Sequence, residues 1–111
     1  MAMQDDLDEI EVFIQTGERL AEKYKPSDTH ALNTPISDLT FLSLFTSWRG
    51  RALKFVQLQT GANSEYAQAF SRNCKAAGSY GDVIAGLTDL ETVKRGILDG
   101  LFEGKRTGQF F

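Results

Sequence analysis

The stretch Asp38–Gly61, DLTFLSLFTSWRGRALKFVQLQTG, sets the architecture of the chain. At about 100° per residue, Phe41, Leu42, Leu44, Phe45, Trp48, Ala52, Leu53, Phe55 and Val56 gather on one half of a helix. Ser43, Ser47, Gly50, Lys54 and Gln57 take the other half. Ser37 or Asp38 offers a side-chain oxygen to the first backbone N–H groups, and Gly61 supplies a stop. An apolar face this wide belongs to a central helix packed against more than one neighbour. This pattern predicts a helix over about 38–60.

The flanking segments supply those neighbours. Over about 5–24, Leu7, Ile10, Phe13, Ile14, Gly17, Leu20, Ala21 and Tyr24 share one arc, while Asp8, Glu11, Arg19 and Lys23 lie outside it. Gly17 lies inside the arc, where a missing side chain admits a close helix at a propensity cost of about 1 kcal/mol. Pro26 ends this helix. Lys25–Ser37 reads as a loop long enough to cross an end of the bundle or to carry function. A third helix is expected over 64–77, with Tyr66, Ala67, Phe70, Cys74 and Ala77 on one side and Gly78 as its stop. A fourth is expected over 82–103, with Val83, Ile84, Leu87, Leu90, Ile97, Leu98, Leu101 and Phe102 as its stripe and Gly104 as its end. Short connections make consecutive helices antiparallel. The expectation is one all-α domain over 1–111, a four-helix, mainly antiparallel bundle with a tail at 105–111.

Composition agrees with one folded domain. In 111 residues, 41% hydrophobic and 24% charged residues exclude a disordered chain. No apolar run approaches the roughly 18 residues that span a bilayer, so no membrane partner is expected. The opening MAMQDDLDEI lacks a basic start and an apolar core, and Cys74 is the one cysteine. A reducing cytoplasm is therefore the expected location.

The net charge of −3 hides an uneven distribution. Residues 1–24 carry −5, residues 25–80 carry +3 and the remainder −1. The acidic start suits the positive end of a helix dipole; an acidic surface for a basic partner is the alternative. Phosphate contacts, if made, would fall to Arg49, Arg51, Lys54, Arg72 and Lys75. Their scatter around the helices makes nucleic acid a poor partner.

Motifs for chemistry are missing. The chain has no HExxH, no GxSxG, no phosphate-binding glycine loop and no zinc spacing, and His30 stands alone. A non-enzymatic chain with no cofactor and no metal is expected. Cys74 points inward, as a buried structural thiol does. What stands out is charge where the pattern wants hydrocarbon: Arg49 in the second helix, and Glu91 and Lys94 in the fourth. A charge so placed is either paired or snorkels to water. An Arg49–Glu91 ion pair flanked by Lys94 is one expectation, with a small-ligand site beside it as a variant. Gly86, Val93 and Gly100 recur every seven residues, and Gly96 with Gly100 forms a GxxxG. Close internal packing or a subunit contact explains such a line. Phe110 and Phe111 are expected to dock on the bundle, bind a partner, or mark a cut inside a longer protein.

The stretch Phe45–Phe70, through Trp48, Ala52, Leu53, Gly61, Asn63, Ser64, Tyr66 and Phe70, resembles a poorly characterised helical domain of bacterial proteins. Gly86–Gly100 is similar to the closing helix of that domain. The resemblance implies a module set N-terminal to effector regions in phage-defence-type proteins, and it carries no active-site residue. Nothing of effector length follows Phe111, so a stand-alone version or an excised piece is implied. The functional expectation is a protein-interaction or oligomerisation module whose partner is another protein or a second copy.

Overall fold

The computed structural model describes residues 2–102. Its helices are α1 (Ala2–Lys23), α2 (Leu39–Thr60), α3 (Glu65–Asn73) and α4 (Tyr80–Leu98), with a 3-10 turn at Thr29–Ala31. No strand forms among the described residues, and the protein is an all-α four-helix bundle.

Ring contacts fix the directions. Phe13 meets Phe55 and Tyr24 meets Phe41, so α1 and α2 run antiparallel. Glu11 meets Lys94 while Gly17 lies against Leu87, so α1 and α4 also oppose each other. The central role expected of α2 holds in its burial: Phe41, Phe45, Trp48, Ala52, Phe55 and Val56 are all buried. They join Ile10, Ile14, Phe70, Cys74, Val83, Leu90 and Val93 in one core.

Helix starts follow side-chain capping. Asp38 accepts from the Phe41 N–H at 2.9 Å, and Ser64 from the Ala67 N–H at 3.1 Å. α4 begins at Tyr80, two residues before the expected start, because Ser79 is its cap. Ser79 Oγ accepts from the Asp82 N–H, and Asp82 Oδ2 accepts from the N–H groups of Ser79 and Gly78.

Two helix ends differ from the expectation. α3 stops at Asn73 rather than Ala77: Cys74 leaves helical geometry at φ −91°, ψ 82°, and Arg49 of α2 caps the freed Cys74 and Ser71 carbonyls. α4 stops at Leu98 rather than near Glu103. Gly100 turns the chain at φ +72°, the Leu101 N–H reaches the Gly96 carbonyl at 2.9 Å, and the Gly100 N–H reaches Ile97 at 3.1 Å. This paired closure satisfies helix-end carbonyls and needs the left-handed backbone that glycine adopts freely. Glu103, Gly104 and the tail with Phe110 and Phe111 lie outside the described residues.

The long α1–α2 connection crosses the end of the bundle and is pinned to the α3–α4 turn. The Ile36 N–H donates to the Gly78 carbonyl at 3.0 Å, and the Gly81 N–H to the Leu32 carbonyl at 2.7 Å.

Candidate interaction surface

The α1–α2 seam is built around Trp48. Its indole Nε1–H donates to the Phe13 carbonyl at 2.7 Å. A Cβ added at Gly17 would stand 2.6 Å from Trp48 Cζ2 and 2.6 Å from Leu87 Cδ2, so the bare backbone of Gly17 makes room for both. On the far side, a Cβ at Gly86 would stand 2.8 Å from Cys74 Sγ and 3.0 Å from Trp48 Cη2. The indole is thus wedged between a glycine of α1 and a glycine of α4.

Above this wedge the two helices leave a groove of about 410 Å³. Phe13, Leu20 and Trp48 contribute apolar surface, Val12 and Leu44 border it, and Arg19, Lys23 and Arg51 bring three cations to its lining. Val12 is 60% exposed and Leu44 48%. Both are apolar side chains in water beside a concave surface that already exposes hydrocarbon, an arrangement that marks contact sites. A helical projection counts Leu44 within the apolar arc of α2 and passes over Val12. The signal in the sequence was Val12 itself, the isolated apolar residue outside the arc of α1.

The residues singled out from sequence are distributed differently. Arg49 donates through Nε to the Cys74 carbonyl and through Nη2 to the Ser71 carbonyl, the latter at 3.1 Å. It therefore caps the end of α3 and does not turn to Glu91. Lys94 Nζ lies 2.8 Å from Glu11 Oε1 on α1, and that hydrogen bond together with nearby Glu11 and Glu91 holds its pKa above the usual lysine value. Glu91 is exposed.

The glycine line of α4 is occupied within the chain. Gly86 faces Cys74 and Trp48, Val93 is buried, and Gly96 lies under the Phe102 ring. Gly100 forms the closing turn. At Gly86, Val93 and Gly96 an interface would need space that the chain's own side chains fill. The five candidate phosphate contacts also part company. Arg49 reaches α3, while Arg51, two residues on, faces the α1 groove from the opposite shoulder of α2. Arg72 borders a second hollow of about 310 Å³ together with Glu65 and Asp89. Lys54 and Lys75 are exposed elsewhere. Neither cavity contains Arg49 or Glu91.

Among the described residues, no group of three or more His, Cys, Asp or Glu side chains gathers to hold a metal. Cys74 is fully buried, and desolvation pushes its thiol up to about 12 despite the nearby Arg49 charge. A thiol so protonated is a poor nucleophile. No helix among the described residues is long and apolar enough to cross a membrane. No family model, curated protein or solved structure matches the chain.

Proposed function

We propose that the chain is a non-enzymatic protein-interaction or oligomerisation module of a cytoplasmic bacterial protein, working in the phage-defence setting that its family resemblance implies. One observation carries the reading: an apolar groove on the α1–α2 face, bordered by the exposed Val12 and Leu44 and lined by cations. Hydrocarbon held in water at a rigid helix–helix seam gains free energy when a partner covers it, about 25 cal/mol for each Å². Trp48 and Gly17 set that seam from the core, so the surface is preorganised and binding orders little. A protein segment suits it better than a nucleic acid, because the floor is hydrocarbon and the five dispersed cations do not form a phosphate track.

A photo-crosslinking amino acid at position 44 tests this in the native host, with position 50 as control. Gly50 is exposed on α2, with open space around it. The expected result is a protein adduct from position 44 and none from position 50. Absence of any protein adduct from position 44 overturns the reading.

A further inference from the structure

The order of charges along α1 says which protein fits the groove. Asp5, Glu9, Val12, Thr16, Arg19 and Lys23 follow one another at intervals of four, three, four, three and four residues. At 100° per residue they lie in a strip roughly 80° wide. Asp5, Glu9, Val12, Arg19 and Lys23 are exposed, and Thr16 is half-buried. The last four members of the strip line the groove, and the acidic pair continues its line toward the start of α1. The strip is acidic at one end, basic at the other, and small and uncharged in the middle.

Such a strip complements its own reverse. A two-fold axis midway between Val12 and Thr16 sets Asp5 opposite Lys23 of a second copy, Glu9 opposite Arg19, and Val12 opposite Thr16. Because the symmetry repeats each pairing, four opposite-charge contacts flank an uncharged centre. Leu44 lies beside that centre and adds hydrocarbon, and Arg51 adds a cation from the α2 wall. A parallel alignment would set Asp5 on Asp5 and Lys23 on Lys23, so like-charge repulsion rejects it. The acidic end equally rejects a polyanion laid along the strip.

Resting on the interaction reading above, we propose that the groove's occupant is a second copy of this chain, paired antiparallel through α1. The contact is small and rimmed by exposed charges, so the dimer is reversible and weakened by salt.

Charge exchange tests the pairing. Glu9→Lys and Arg19→Glu are made singly, away from both helix ends, with helix content checked by circular dichroism. Sedimentation equilibrium at low ionic strength then measures self-association. Each single variant is expected to self-associate at least about tenfold more weakly than wild type, since two favourable contacts become two repulsive ones. Both changes in one chain restore the pairing with its sign reversed, and the double variant dimerises again. A second pair, Asp5→Lys/Glu9→Lys and Arg19→Glu/Lys23→Glu, gives one basic and one acidic strip. Each is expected to remain monomeric alone, and the mixture to form a heterodimer.

A monomeric wild type, single variants that dimerise unchanged, or a double variant or mixture that fails to associate each overturns the proposal. If that happens while position 44 still crosslinks to a different protein, the interaction surface stands and self-pairing falls. If position 44 captures nothing, both fall.

Discussion

Trp48 occupies the space that Gly17 leaves empty: its Cζ2 lies 2.6 Å from where a Cβ on Gly17 would be. The same indole donates to the Phe13 carbonyl one turn earlier on α1. Gly17 therefore sets how closely α1 approaches α2, and with it the form of the groove above them.

Gly17→Ala is expected to destabilise the fold although alanine is the better helix former. Overpacking costs about 1–3 kcal/mol, against about 1 kcal/mol gained in propensity. Gly50→Ala, with nothing near its position, is expected to stabilise by roughly that 1 kcal/mol. Urea denaturation of the two variants checks for opposite signs from the same chemical change.

Arg49→Met is expected to loosen the end of α3. Its guanidinium serves the Cys74 and Ser71 carbonyls, and removing a donor from a part-buried acceptor costs about 1–3 kcal/mol. Lysine presents one ammonium instead of a planar fork, so Arg49→Lys should recover only part of the loss. A double-mutant cycle between Arg49→Met and Glu91→Leu should show no coupling. A cycle between Glu11 and Lys94 should show a small coupling that salt removes. Hydrogen exchange at residues 71–74 reports the local effect.

Cys74 makes stability depend on alkaline pH. Its thiol titrates near 9.0 when free of the fold and near 12 within it. Between those values the folded state keeps a proton that the unfolded state releases, so stability falls as pH rises. The slope approaches 1.4 kcal/mol per pH unit for one group. Cys74→Ala should remove this component, seen as a difference in slope between the two proteins from pH 9 upward. Alkylation of the native thiol at pH 8 should be slow and should track unfolding.

Leu44→Gln separates folding from association. At 48% exposure the side chain lies outside the fully buried core, so the change should move stability by no more than about 0.5 kcal/mol. Self-association should nevertheless fall severalfold, read by sedimentation equilibrium beside a thermal melt.

The bundle was legible because its signals are local. Apolar residues recur with the helical period through α1 and α2, and Asp38, Ser64 and Gly61 stand where helices start or stop. The end of α3 was not legible, because the side chain that caps it, Arg49, comes from 22 and 25 residues away. Arg49 and Lys94 are visible in sequence as charges needing partners. The partners are a pair of carbonyls and Glu11, 83 residues distant, and nothing in a helical projection points to either. The groove was hidden for a related reason. Projection shows that Leu44 is on the apolar half of α2, but only the position of α1 decides that it is at the rim.

The most direct test is the association of the wild-type chain by sedimentation equilibrium between roughly 0.01 and 1 M salt, where the screening length falls from about 30 to 3 Å. Antiparallel pairing through Asp5, Glu9, Arg19 and Lys23 predicts a dimer at low salt that dissociates progressively as salt is added. A monomer at every ionic strength, or a dimer that salt leaves intact or strengthens, would contradict it.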